Sequence, residues 1–284
     1  MLTLSRLSPH VLYMPADDPD RPALCAVTGS RGTLMLDAAA SDAHARLFLD
    51  ELRDEDIPAP RFVALTHWHW DHVFGAAEIG APVIAQRQTA AQLRVMAGQS
   101  WDNAALAARV QSGEEIAFCE ENILLELPEP RHVRIAQADI VFDGHLSLDL
   151  GGVTCEIHLV GGDHAADACV MHIPEDGVLV LGDCLYDAIY APVRHLTHAK
   201  LLPLLDRIAS FGASVFVEGH GREPNSADSM AELIAKMRAA CAVTTDSATS
   251  SDDALTAYER VTGHVPDEDA RELIAALIAG HAFA

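Results

Sequence analysis

Two periodicities alternate along this 284-residue chain. Short apolar runs rich in β-branched residues read as strands at 10–14, 23–29, 33–37, 61–66, 82–86, 146–150, 153–160, 168–173, 178–183 and 214–219. Apolar residues at helical spacing predict helices at 41–53, 199–210, 226–243 and 267–280, the first opening on Ser41 as N-cap. The outcome is an α/β chain with two strand-rich halves. The stretch 88–127 differs, because Leu93, Met96, Trp101, Leu106, Val110 and Phe118 follow a helical period between the halves; it either caps a site or covers a sheet edge. Residues 244–253, "TTDSATSSDD", are polar and low in complexity and read as an exposed linker. The chain therefore divides into a main unit, 1–243 with a helical insertion at about 88–127, and a linker with a C-terminal helical extension, 244–284. That extension packs on the body or on a second subunit, so a homodimer is compatible with it.

Composition narrows the classes. With 50% hydrophobic and 21% charged residues the chain can bury a sizeable core. No apolar run approaches the roughly 20 residues that span a bilayer. The first residues lack the basic start, apolar block and small-residue cleavage site of a signal peptide, so a cytoplasmic protein without a membrane partner is expected. Acidic residues outnumber basic ones 42 to 19, a field that repels phosphate backbones. The expected partner is a small-molecule substrate, not nucleic acid. The six cysteines are scattered without a C-x-x-C pair and read as reduced thiols.

The candidate chemistry concentrates in "THWHWDH", residues 66–72. It follows directly on the strand 61–66. In an extended loop, residues two apart point the same way, so His67 and His69 can place two imidazoles on one ion. Asp71 and His72 come next, at a helix start, turned toward a second ion. Imidazole and carboxylate suit zinc, iron or manganese at neutral pH. Four ligands cannot close two metal shells, so further ligands are required at the ends of later strands. The sequence supplies His164 in "LVGGDHAADA", Asp183 in "VLVLGDCLY" and His220 in "VFVEGHGRE".

With these residues the chain resembles the metallo-β-lactamase superfamily, whose signature is H-x-H-x-D-H followed by a distant His, an Asp and a final His; the matching elements span residues 37–221. The resemblance implies a four-layer αββα sandwich, two mixed β-sheets flanked by helices, with a metal site at one edge. Carried over, His67, His69 and His164 hold one metal, Asp71, His72 and His220 the other, and Asp183 bridges them. Asp37 matches an early aspartate that supports the metal loop without binding metal. The implied cofactors are two divalent ions, zinc first, with iron or manganese as alternatives. Two such ions lower the pKa of a shared water, and the resulting bridged hydroxide attacks the substrate while Asp71 orients it and shuttles the proton.

Asp183 narrows the reaction. Specialised β-lactamases of the family carry cysteine or serine there, whereas aspartate is typical of glyoxalase II, lactonase, arylsulfatase-like and phosphodiesterase members. The stretch from His164 to Asp183, with Asp167 three residues on, nevertheless resembles the β-lactamase pattern H-x-x-D-N, and the G-H-[ST]-P-G of glyoxalase II is absent. Tyr186 stands at the spacing of a lactonase tyrosine that donates to the substrate carbonyl, or is plain packing. The reading is a metal-dependent hydrolase of an ester, lactone, thioester or similar acyl substrate. β-Lactam hydrolysis and a mononuclear-iron persulfide dioxygenase are the alternatives. Trp68 and Trp70 divide between walling the pocket and packing under the loop, and His195 and His198 between substrate contact and surface.

Overall fold

The computed structural model describes residues 3–283, which form two facing sheets between layers of helix. The first sheet has seven strands in chain order, β1 (Ser5–Arg6), β2 (Val11–Met14), β3 (Leu24–Gly29), β4 (Gly32–Leu36), β5 (Pro60–Ala64), β6 (Val83–Gln86) and β7 (Ala138–Phe142). Its first half is antiparallel, and β4 to β7 are parallel. The second sheet holds β8 (His145–Asp149), β9 (Thr154–Leu159), β10 (Cys169–Ile173), β11 (Val178–Gly182), β12 (Val215–Glu218) and β13 (Asn225–Ser226), in the order 13-12-11-10-9-8. Only β11 and β12 run parallel in it.

The strand pattern dictates the layers. Val11 and Tyr13 of β2 point between the sheets, where they meet Cys155, Ile157, Met171 and Val180 of the second sheet, while Leu12 and Met14 point the other way. Strands buried on both faces must be apolar throughout, which is why β2 and β11 read as unbroken apolar runs. Outside the first sheet lie α1 (Asp42–Asp54), the short α2 (Trp70–Val73) and α3 (Ala76–Ile79), and then α4 (Arg87–Ala97), α5 (Asn103–Ser112) and α6 (Ala117–Glu126). Phe48 of α1 is fully buried here, so its truncation to alanine costs roughly 3–5 kcal/mol. Ser41 caps α1 as its sequence position predicts, accepting from the His44 N–H at 3.0 Å.

Outside the second sheet lie α7 (His198–Ser210), α8 (Ala227–Val243), α9 (Ser251–Thr262) and α10 (Glu268–Gly280). Leu205, Met237, Tyr258 and Ile274, one from each, share one apolar cluster, so α9 and α10 pack on the body of this chain. The sandwich of two mixed sheets between helices is the expected fold. The segment read as a helical insertion at about 88–127 folds as three helices, α4 to α6. One element departs from the sequence reading: α9 begins inside the stretch read as linker, capped by Ser250. Among the described residues no helix is long and apolar enough to cross a membrane.

Candidate metal centre

Every predicted ligand leaves a strand at the same edge of the sandwich. Parallel strands present their carboxyl ends together, and such ends are where α/β sheets collect ligands. β5 ends at Ala64, Leu65 and Thr66 follow, and His67 opens the loop; His69 is the extended N-cap of α2, which carries Asp71 and His72 in its single turn. In the second sheet β11 delivers Asp183 and β12 delivers His220, tied by a Gly219 N–H to Gly182 carbonyl bond of 2.9 Å. The Cys169 N–H donates to the Thr66 carbonyl at 2.8 Å and locks the two sheets together beside the site.

The structure brings all seven residues into two groups. One contains His67, His69, His164 and Asp183, the other Asp71, His72, His220 and Asp183. In each group the ligand atoms lie within 4.8 Å of one another. A single oxygen, Asp183 Oδ2, lies 3.8 Å from His67 Nε2, 3.3 Å from His164 Nε2, 3.4 Å from His72 Nε2 and 3.3 Å from His220 Nε2. Asp71 Oδ2 is 3.0 Å from His72 Nε2 and 3.3 Å from His220 Nε2.

The outer faces of the rings are anchored, which fixes the tautomers. His72 Nδ1 donates to Asp37 Oδ2 at 2.8 Å, and His164 Nδ1 to the Asp187 carbonyl at 3.1 Å. The Thr66 hydroxyl donates to Asp37 and thereby accepts from His67 Nδ1 at 3.0 Å. Each anchor leaves the Nε2 lone pair facing inward. The Nε2 atoms of His67, His69, His72 and His164, with Asp71 Oδ2, are buried without a hydrogen-bond partner. Buried acceptors left unpaired are costly, and a cluster of them converging on one point fits cations. The residues present therefore suit divalent metal.

Charge at the site tells the same story. Burial, and then the neighbouring His72, press His67 well below the ordinary histidine range; burial and then His67 do so for His69. Burial opposes the charged forms of His72 and His220 as well, but the Asp71 and Asp183 carboxylates overcome it and hold both well above that range. Burial would also keep Asp183 neutral, yet His220 and His72 hold its carboxyl well below the usual range, and His72 and His220 do the same for Asp71. The two carboxylates of the second group thus favour positive charge at His72 and His220, as a cation site requires.

The centre opens into a cleft of about 350 Å³. Its walls come from the loop 16–20, from Phe118 and Cys119 of α6, and from Tyr186, Ile189 and Arg194 after β11. The helical insertion thus contributes directly to the cleft. Tyr186 stands between the two halves of the centre, its ring 6.0 Å from His164 and 6.1 Å from His220. Its hydroxyl accepts from the His220 N–H at 3.4 Å, and burial keeps the phenol protonated, so its own proton is free to donate into the cleft.

Trp70 packs under the loop against Phe74, while Trp68 props the site from the side, edge-on to His69 and 5.1 Å from Tyr190. His195 and His198 belong to neither alternative expected for them. His195 is buried and stacks on Phe283 at 3.9 Å, and His198 bonds to the Cys241 carbonyl and the Thr244 hydroxyl at 3.1 and 3.0 Å. Both tie the C-terminal helices to the body.

Comparison with protein families matches residues 21–220 to the metallo-β-lactamase superfamily. The chain belongs to the metallo-β-lactamase superfamily. Members are hydrolytic enzymes on a fold that binds divalent metal, and this chain is an enzyme of that kind. No curated protein sequence matches it. Among solved structures, a metallo-β-lactamase from Pontibacter korlensis aligns over 83% of this chain and 98% of its own, at 17% identity and a TM-score of 0.58. A metallo-β-lactamase family protein from Thermus thermophilus aligns over 98% and 95%, at 19% identity and 0.59. The inverting sec-alkylsulfatase Pisa1 from a Pseudomonas species aligns over 96% of this chain and 47% of its own, at 16% identity and 0.65. Likeness at this level is one of fold.

Within this metallo-β-lactamase fold, three contributors escape the sequence reading. Thr66 links Asp37 to His67, as described above. Asp20 lies 3.5 Å from His220 Nδ1, where burial, and then Asp71, push its carboxyl up to about 7. Gly219 lets Asp183 approach the backbone. The first and last adjoin predicted ligands, but Asp20 sits in an irregular loop and reaches the site only through the fold.

Proposed function

We propose that this chain is a zinc-dependent hydrolase with a dinuclear centre, acting on an ester, lactone, thioester or related acyl bond of a small molecule. The observation that carries the reading is the position of Asp183 Oδ2, within 3.3 to 3.8 Å of four imidazole nitrogens that divide into two pairs. An oxygen so placed could serve both ions of a pair, with His67, His69 and His164 available to hold one and Asp71, His72 and His220 the other. When bound, the pair supplies Lewis acidity toward the substrate oxygen and makes water acidic enough to ionise near neutrality.

The remaining work falls to side chains. Asp71 Oδ2, buried and without a hydrogen-bond partner, takes a proton from the attacking water and returns it to the leaving oxygen or sulfur. The Tyr186 O–H donates a hydrogen bond to the substrate oxygen on which charge develops, and keeps its proton throughout. Phe118 and Ile189 give an apolar substrate body a wall to lie against. The six cysteines are buried free thiols, which supports a reducing, cytoplasmic setting.

The test is a hydrolysis panel of lactones, thioesters, aryl esters, phosphodiesters, secondary alkyl sulfates and β-lactams, with Asp183→Asn as control. Turnover of an acyl ester or lactone that disappears in Asp183→Asn is the expected result. Turnover confined to phosphodiesters, sulfates or β-lactams, or oxygen uptake with a persulfide, overturns the acyl reading.

A further inference from the structure

A second set of metal-ligand side chains, none of them from the catalytic centre, lies on the outer face of the second sheet. β8 and β9 form an antiparallel hairpin in which His145 and His158 are directly opposed partners. Opposed residues of antiparallel strands project side by side on one face. Their rings stack with centroids 4.4 Å apart and planes 23° from parallel. Glu156, two places before His158, lies on the same face, and its Oε2 is 3.5 Å from His158 Nε2. One ligand atom from each of the three lies within 4.8 Å of the others.

The face is the outer one. Cys155 and Ile157 turn into the core between the sheets, so Glu156 and His158 turn away from it. β8 is the last strand of its sheet; at the end of α7 the Phe211 ring lies 5.1 Å from that of His158, and on β10 His172 is the register partner of Glu156. His145 is exposed, whereas His158 Nε2 is buried and lacks a hydrogen-bond partner.

We propose that His145, Glu156 and His158 form an accessory transition-metal site that clamps β8 to β9. Two imidazoles and one carboxylate select a borderline cation of the zinc, nickel or copper class over magnesium or calcium. Water fills the remaining positions, because one side of the patch is open. The site shares no residue with the catalytic centre. One neighbour opposes it: an Arg207 nitrogen lies 3.3 Å from His158 Nδ1. When Nδ1 accepts from that guanidinium, the proton of the neutral ring sits on Nε2. Metal at Nε2 requires the proton on Nδ1 and Arg207 withdrawn, so arginine and metal compete for the ring.

The probe is Zn2+, titrated against a chromophoric chelator into protein preloaded with two equivalents of zinc, too few to fill the outer patch as well. Wild type is expected to take up about one further equivalent, which His145→Ala and His158→Ala each abolish, while Glu156→Gln weakens it roughly 10-fold and Arg207→Ala tightens it. His145 is exposed, so its replacement leaves the fold intact even where the His158 variant does not. Zinc should also raise the melting temperature of the loaded wild type and not that of His145→Ala. No further equivalent in wild type, or equal uptake by wild type and His145→Ala, overturns the proposal. Because the readout is a difference between proteins with an identical catalytic centre, failure here leaves the dinuclear reading untouched, and failure of that reading leaves this one untouched.

Discussion

Gly219 stands directly against the carboxylate of Asp183: a Cβ built on it would lie 1.9 Å from Asp183 Oδ1. No side chain fits there without displacing the carboxylate whose other oxygen sits among four imidazoles. Gly219→Ala is therefore expected to lose bound metal while Gly221→Ala, whose Cβ would meet nothing closer than 3.4 Å, retains it. Metal analysis of the two desalted proteins decides. Equal content would mean that Asp183 is not held by this approach.

Asp37 is the next support. It accepts from His72 Nδ1 at 2.8 Å and from the Thr66 N–H at 2.7 Å, and it adopts a left-handed backbone with φ of 60° to do so. Asp37→Asn keeps the shape but removes the charge that orients His72. Metal affinity should fall by roughly 10- to 100-fold in chelator competition. An unchanged affinity would reduce Asp37 to a packing residue.

Much of this was legible in the chain. Strands buried on both faces are continuous apolar runs, and each of the ten runs read as a strand folds as one. The edge strand β7 escaped because its burial alternates, and β1 and β13 because two residues carry no pattern. The start of α9 escaped because its first turn is exposed and polar, so that its N-cap Ser250 looked like linker. The ligands were readable because each follows the end of a strand. Asp20 was not, since nothing local in an irregular loop announces that it will meet His220. His145 and His158 become partners only through hairpin register, which individual histidines do not encode.

Tyr186→Phe preserves the ring and removes the proton that points into the cleft. On a substrate found by the panel, kcat should fall roughly 10²-fold with little change in KM and no loss of metal. A variant with wild-type kcat would assign Tyr186 to packing.

His44 sets an acid limit on stability. Burial, and then Arg21, lower its pKa from 6.5 to about 3, and its Nδ1 accepts from the Ala40 N–H at 3.3 Å. The folded chain keeps His44 neutral where the unfolded chain protonates it. Its stabilising contribution is therefore full above pH 6.5 and is lost as pH falls toward 3. Urea unfolding of wild type should weaken more steeply than His44→Gln between pH 6.5 and 5, by on the order of 1.4 kcal/mol per pH unit. Parallel slopes would contradict this.

The central claim is that one oxygen of Asp183 joins two metal ions. It is tested most directly by counting zinc in loaded, desalted protein carrying His145→Ala and His158→Ala, so that the outer patch contributes nothing. The expected content is about two ions per chain, falling to about one or fewer when Asp183→Asn is added. A parent protein that holds a single ion, or an Asp183→Asn protein that keeps both, would contradict the dinuclear centre.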